Sequence, residues 1–256
     1  MARKVYEETH IANIAEKIRE KTGGDNTYNT SEMPNGIETV YEKGKQAEWS
    51  AFWDAYQDNG NRTDCANMFS GRGWNEQTFV PKFDIVCENS YMLFRYCGLV
   101  DIEKALKDNR KKIIFNNGSL QLSFNNMLTQ ILGEVYFNTP ITSMGQTFAY
   151  SNYLQEIRSE FPVTESTTYS GVFDGCNALR EVRFSGTIGK NGLNFQWSKN
   201  LSKASIENII GCLSTTTSGL SVTLSRTSVT TAFGSTDSEE WLALINSRTN
   251  WTINLS

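Results

Sequence analysis

Residues 148–157 read Phe-Ala-Tyr-Ser-Asn-Tyr-Leu-Gln-Glu-Ile, and residues 173–182 read Phe-Asp-Gly-Cys-Asn-Ala-Leu-Arg-Glu-Val. The two stretches share Phe, then Leu six positions later, then Ile or Val three positions after that. Looser versions of the pattern occur upstream, at Phe94, Leu99 and Ile102 and at Phe124, Leu128 and Ile131. A motif that returns at such intervals indicates a repeat architecture.

Phenylalanine sets the phase of this repeat between residues 62 and 200. Six phenylalanines recur at intervals of 25, 30, 24, 25 and 22 residues: Phe69, Phe94, Phe124, Phe148, Phe173 and Phe195. One interval is longer than the roughly 20–29 residues of leucine-rich repeats. A Phe and a Leu/Ile pair cannot be buried within one such unit, but stacked units would align the Phe residues in a column and the strands in a sheet. We therefore predict an α/β repeat fold, a leucine-rich-repeat solenoid with short parallel strands.

The first 61 residues show helical periodicity instead. A first helix is predicted from one apolar stripe, formed by Ile11, Ile14, Ala15 and Ile18. A second is predicted over residues 35–58, with an aromatic stripe formed by Trp49, Phe52, Trp53 and Tyr56. Two interpretations of that stripe remain open, because it could cover the first edge of the repeat domain or join copies of the chain in an oligomer.

Residues 201–256 have a third pattern. We predict a helix that begins after Ser202, a strand over residues 221–224, a helix opened by a capping box at Thr236–Glu239, and a terminal strand from Trp251. This order of helix, strand, helix and strand predicts an α/β cap at the C-terminal end of the repeat domain.

The composition argues against several classes of function. A net charge of -4 does not provide the basic surface that nucleic acids require. No stretch approaches the roughly 20 apolar residues that span a bilayer, so we expect no membrane insertion. The N-terminus has no secretory signal, so we expect synthesis in the cytoplasm. The five cysteines include no Cys-x-x-Cys pair and indicate small buried residues rather than disulfides or a zinc site.

Combinations of residues typical of catalysis are missing as well. The single histidine, His10, stands near a helix start, and no Gly-x-Ser-x-Gly motif occurs. Gly71-Arg72-Gly73 lacks the lysine of a phosphate-binding loop and is interpreted as a turn. Acidic pairs such as Glu156 and Glu160 indicate a solvated face. We therefore expect no enzyme activity, and no catalytic, cofactor-binding or metal-binding residue.

Aromatic residues mixed with Asn and Ser recur around the repeats: Trp74, Tyr91, Tyr96, Tyr150, Tyr153 and Trp197. Such residues suit recognition of carbohydrate or protein, although they could equally be partly buried between units. The sequence assigns no single ligand-binding residue.

The repeats resemble the BspA-like class of bacterial leucine-rich repeats, whose units read Phe-x-x-Cys-x-x-Leu-x-x-Ile/Val. Phe173, Cys176, Leu179 and Val182 fit fully, whereas Ser151 replaces the cysteine in the unit before. The resemblance covers about half of the chain. It implies a solenoid used for binding, with the boundaries over residues 103–145 the least defined.

The N-terminal region resembles a segment of tail-associated proteins in phages and prophages of Gram-positive gut bacteria. The matching stretches are Ile14–Gly23, Thr30–Pro34 and Tyr41–Glu48. The resemblance implies a homo-oligomeric virion protein of the tail or baseplate. Residues 1–61 would attach to other virion proteins, and the solenoid would bind a host-surface glycan or protein. A bacterial leucine-rich-repeat adhesin or interaction scaffold is the alternative.

Overall fold

The structure, a computed structural model, describes Lys17 and residues 63–71, 74, 79–98 and 101–256. The chain divides into two compact parts, Met1–Gly60 and Asn61–Ser256. Lys17, an exposed helical residue, is the only described residue of the first part. The predicted N-terminal helices, the aromatic stripe and His10 therefore lie outside the described residues.

Short strands alternate with turns along the second part. They are β1 (Ile85–Cys87), β2 (Ile113–Phe115), β3 (Ile131–Leu132), β4 (Val135–Phe137), β5 (Ile141–Ser143), β6 (Glu156–Thr168), β7 (Glu181–Gly186), β8 (Asn194–Phe195), β9 (Leu220–Leu224) and β10 (Trp251–Leu255). The described residues also form four helices: α1 (Ile102–Asp108), α2 (Lys203–Gly211), α3 (Arg226–Phe233) and α4 (Glu239–Asn246). The class is mixed α/β, as predicted.

Every strand pair among the described residues is parallel. The sheets run in the orders β1-β2-β4, β3-β6-β5 and β10-β9-β8, and β7 pairs with the long strand β6. The first strands are three-residue runs of Ile, Val, Cys and Phe whose outer residues point inward, as in β1 and β2. Strands this short are marginal alone, so their stability depends on the side chains packed behind them.

The six predicted phenylalanines form that packing. All six side chains are fully buried: Phe69, Phe94, Phe124, Phe148, Phe173 and Phe195. Each ring stacks on the next at centroid distances of 4.8–5.7 Å, with interplanar angles of 4–21°. The predicted phenylalanine column is therefore confirmed, and we call the residues around each of these phenylalanines a unit.

A second column of rings lies behind the strands and was not predicted. It contains Phe115, Phe137, Phe161 and Phe184, at successive centroid distances of 5.4, 5.7 and 5.8 Å. The rings of Phe148 and Phe161, 5.7 Å apart, join the two columns. The two columns lie in the core between turns and strands together with many buried Leu, Ile and Val side chains, and Phe137 is half-buried.

The backbone repeats as regularly as the rings. The pattern holds in the units of Phe69, Phe94, Phe124 and Phe148. In each of them three main-chain N–H groups donate to carbonyl oxygens of the next unit: the N–H of the phenylalanine, the N–H two residues before it and the N–H two residues after it. The N–H groups between them close turns within their own unit. This division satisfies both sets of buried donors, which would otherwise be costly.

The 30-residue interval between Phe94 and Phe124 is explained by α1. Asp101 caps this helix by accepting a hydrogen bond from the Lys104 N–H at 2.7 Å, and Ile102 and Leu106 are buried. The unit is lengthened by a helix, and its phenylalanine stays in the column. In the next unit Leu128, predicted to point inward, is exposed, and Met127 is buried in its place.

The C-terminal region differs in part from its prediction. Ser202 caps α2, and β9 and β10 lie where strands were expected. The order is helix, strand, helix, helix and strand, because α3 was missed. The predicted capping box at Thr236 was wrong, since the Ser238 side chain accepts the hydrogen bond from the Trp241 N–H and α4 begins there.

Candidate functional site

Exposed aromatic side chains line up on the turn side of the units. The position two residues after each column phenylalanine is occupied in turn by Gly71, Tyr96, Asn126, Tyr150, Gly175 and Trp197. We call this set the surface row. The side chains of Tyr96, Tyr150 and Trp197 are 51%, 56% and 46% exposed. The stacked units therefore present three large aromatic groups at one equivalent place.

The surface row projects outward because of its backbone conformation. Its first five members have φ between +53° and +72°, in the left-handed region. The residues four positions earlier have the same sign of φ: Asn67, Met92, Leu122, Gln146 and Gly171. Left-handed φ is unfavourable for residues with a Cβ, so the tyrosines are held there by the ladder of hydrogen bonds between units.

A groove of about 400 Å³ opens in the surface row between Tyr150 and Trp197. Gly175 stands between these two aromatic residues and leaves the gap. The polar lining of the groove consists of Asp174, Asn177 and Gln196. An open concave site with two aromatic residues and a few polar groups has the chemistry of a small-ligand site.

Hydrogen bonds between units hold the polar side of this groove in place. The Asn177 side-chain amide donates to the Asn152 side-chain carbonyl at 3.0 Å, and Asn200 donates to the Asn177 main-chain carbonyl at 3.2 Å. The Tyr150 N–H donates to the main-chain carbonyl of Asp174. These bonds fix the relative positions of the residues around the groove.

Tyr96 is placed differently from the other members of the surface row. The guanidinium carbon of Arg95 lies 4.7 Å from the centroid of the Tyr96 ring. The NH2 group of Arg95 also donates a hydrogen bond to the Tyr96 hydroxyl at 3.2 Å. The adjacent cation covers one face of that ring and attracts its π electrons. Tyr96 therefore has less free aromatic surface to offer to a ligand.

A second groove, of about 590 Å³, lies on the strand side and is charged. Glu103 of α1 is 5% exposed and pairs with Lys107 and with Arg158 NH1, the latter at 2.7 Å. The hydrogen bonds to Glu103 raise the pKa of Lys107 and of Arg158. Both basic residues of this groove, Lys107 and Arg158, are paired with glutamates, which indicates a structural ion-pair network between units.

The acidic pair Glu156 and Glu160 belongs to the same face. Burial alone would raise the pKa of Glu156, but hydrogen bonds from Arg158 and Arg180 lower it overall. Glu156 is thus an ion-pair partner of two arginines. A carboxyl group with a lowered pKa is poorly suited to donate a proton near neutral pH.

The remaining residues singled out from the sequence divide into an exposed group and a buried group. Tyr91 and Tyr153 are exposed but lie outside the surface row. Trp74 is buried, which agrees with the alternative that some of these aromatics lie in the core, and it packs edge-on against Phe69 and Phe79. Four of the five cysteines are buried and Cys212 is half-buried, and none of the five forms a disulfide.

Asp174, Gly175 and Gln196 were not singled out from the sequence. The signal was available, because aligning the units on their phenylalanines places Asp174 and Gln196 at one position and Tyr150, Gly175 and Trp197 at the next. Among the described residues no cluster of His, Cys, Asp or Glu could hold a metal ion. No described helix is long and apolar enough to cross a membrane.

Comparison of the chain with protein-family models, with curated proteins and with solved structures gives no match.

Proposed function

We propose that this chain is a non-enzymatic recognition protein whose repeats form a leucine-rich solenoid of the BspA-like kind. The observation that carries the proposal is the surface row, in which one equivalent position of alternate units holds Tyr96, Tyr150 and Trp197 with exposed rings. The column phenylalanine is constant in all six units, whereas the surface-row residue varies. A regular scaffold with a variable aromatic surface is the usual form of a repeat protein that binds a partner.

The proposed setting is the tail or baseplate of a phage or prophage of Gram-positive bacteria. Its support is the resemblance of Ile14–Gly23, Thr30–Pro34 and Tyr41–Glu48 to segments of tail-associated proteins. In this account residues 1–61 attach the protein to other virion proteins and bring copies together in a homo-oligomer. The repeat region then binds a glycan or protein on the host surface.

A binding role also fits the charges better than catalysis does. Hydrolysis of a glycan needs two carboxyl groups across a cleft, one of them with a raised pKa. Glu156 has a lowered pKa because two arginines hold it. Incubation with purified Gram-positive wall polysaccharides should release no reducing sugar, and measurable turnover would contradict the proposal.

Two measurements test the proposed function. Fluorescently labelled full-length protein should bind to a subset of a panel of Gram-positive cells, whereas binding to none of them or to all of them equally would argue against host recognition. Light scattering should show an oligomer for the full chain and a monomer for a chain that starts at Asn61. If both are monomers, the adhesin or scaffold alternative replaces the virion setting.

A further inference from the structure

We propose that the groove between Tyr150 and Trp197 is a subsite for one neutral hexopyranose unit of a surface glycan. The inference rests on the proposed recognition function and specifies its ligand class. The groove volume of about 400 Å³ falls at the lower end of the roughly 300–1,000 Å³ of small-ligand sites. A single sugar ring within a longer chain matches such a short, open groove.

The aromatic members of the surface row suit the apolar face of a pyranose. Aromatic rings carry partial negative charge on their faces, and the C–H bonds on one side of a pyranose carry partial positive charge. Tyr150 and Trp197 are two unit steps apart, and each step is the 4.8–5.6 Å spacing of the column rings beneath them. That spacing leaves room for a flat ligand above the intervening unit.

Gly175 makes this room. A Cβ at this position would lie 3.3 Å from Cδ1 of Tyr150 and 3.5 Å from Oδ1 of Asn152. The equivalent positions of three earlier units hold Tyr96, Asn126 and Tyr150 in the same left-handed conformation. A side chain at position 175 would crowd Tyr150 in a left-handed conformation that L side chains rarely adopt, so glycine keeps open the gap that forms the groove.

The polar residues supply what the hydroxyl groups of a sugar need. The Asp174 carboxylate can accept hydrogen bonds from two hydroxyls, and the side-chain amide of Gln196 both donates and accepts. One negative charge in the groove favours a neutral sugar over an acidic one, because Asp174 repels a second carboxylate. A hydrophobic peptide side chain could make no hydrogen bonds to these polar groups, which favours a sugar over such a ligand.

Saturation-transfer NMR on the full chain tests the proposal with four soluble probes. We expect transfer to at least one of methyl β-glucopyranoside, methyl β-galactopyranoside and N-acetylglucosamine, and none to galacturonate. Trp197→Ala should weaken binding about tenfold, which corresponds to the loss of one stacking contact. Gly175→Tyr, which copies the residue of Tyr150, should abolish binding by filling the groove.

Tyr136→Ala is the matched control, because Tyr136 is a similarly exposed aromatic residue on the strand side, outside the groove. It should leave sugar binding unchanged. Absence of transfer to all three neutral sugars would overturn the proposal. So would equal binding by the wild type and both groove variants, once circular dichroism has shown that the variants are folded.

Cell binding by the same variants separates this proposal from the proposed function. Cell binding by both the wild type and Gly175→Tyr, with no sugar transfer to the wild type, would refute the subsite and leave host recognition standing, with another surface or a protein as the ligand. Sugar binding in the groove without binding to any cell would support the subsite and refute host recognition.

Discussion

The hydroxyl of Ser151 donates a hydrogen bond to the main-chain carbonyl of Phe124 at 3.0 Å. In the next unit the Cys176 thiol makes the same contact with the carbonyl of Phe148, at 3.1 Å. The cysteine of the repeat pattern therefore works as a short hydrogen-bond donor between units, and serine can replace it. The substitution that looked like a departure from the pattern keeps its physical role.

Substitutions at Ser151 test this role. Its Oγ also accepts from the Met127 N–H at 3.1 Å, so Ser151→Ala leaves two buried main-chain groups without these partners. We expect a loss of about 1–3 kcal/mol in the free energy of unfolding, measured by urea denaturation. Ser151→Cys should cost less than Ser151→Ala. Equal losses for the two variants would show that a hydrogen-bond donor at position 151 does not contribute to stability.

The middle of the phenylalanine column should be the most sensitive part of the core. Phe148 is stacked between Phe124 and Phe173 at 5.5 and 5.6 Å and also meets Phe161. Phe148→Ala should therefore destabilise the fold by about 3–5 kcal/mol in urea denaturation. Tyr153→Ala, at an exposed position, should stay within about 0.5 kcal/mol of the wild type. Similar effects at both positions would contradict the column as the main source of stability.

Left-handed positions in neighbouring units should respond oppositely to substitution. Gln146 is exposed and has a φ of +50°, so Gln146→Gly should relieve strain and stabilise the protein by about 0.5–1 kcal/mol. Gly171 is the equivalent residue of the next unit, and Gly171→Ala should be destabilising, because its Cβ would lie 2.7 Å from Oδ2 of Asp174. Thermal denaturation of both variants gives the comparison. If Gln146→Gly is destabilised instead, the Gln146 side chain stabilises the protein by more than its left-handed backbone conformation destabilises it.

The sequence predicted the first phenylalanine column because each unit contains the ring at the same phase. It did not predict the second column, although Phe115, Phe137, Phe161 and Phe184 follow each other at 22, 24 and 23 residues. The equivalent strand position in the first unit is Cys87, which pairs in register with Phe115. Because the first unit has no phenylalanine at this position, the series was not recognised in the sequence. Burial of a repeated position is visible in a sequence only when the residue type also repeats.

Helix α3 was missed for a different reason. Its sequence, Arg-Thr-Ser-Val-Thr-Thr-Ala-Phe, is rich in β-branched residues with low helix propensity. Val229 and Phe233 are nevertheless buried, and Gly234 ends the helix with a φ of +78°. Tertiary packing outweighs local propensity here, and the glycine was the one usable signal.

The candidate groove was predictable only in outline. Tyr150 and Trp197 were singled out as recognition residues, and both are exposed. Trp74 was singled out with them and is buried, because composition does not reveal which side of a turn faces the core. Alignment of the units on their phenylalanines places Gly175 between the two aromatic residues, but only the structure shows that the glycine leaves an open groove there.

Stability should depend on alkaline pH through Cys176. Burial raises the pKa of this thiol from 9.0 to about 12. Between those values the unfolded chain loses the thiol proton and the native protein keeps it, so the free energy of unfolding falls as pH rises. The contribution of this thiol is at most about 1.4 kcal/mol per pH unit. Cys176→Ser should reduce the slope of stability against pH over this window, and an unchanged slope would contradict the assignment.

Nuclear Overhauser effects between ring-labelled phenylalanines test the stacked units most directly. We predict cross-peaks from Phe148 to both Phe124 and Phe173, because each pair of rings is less than 6 Å apart between centroids. Phe124 and Phe173, which are separated by the Phe148 ring, should show none. Absence of the two neighbouring cross-peaks in the folded protein would contradict the column, and with it the surface row that carries the proposed function.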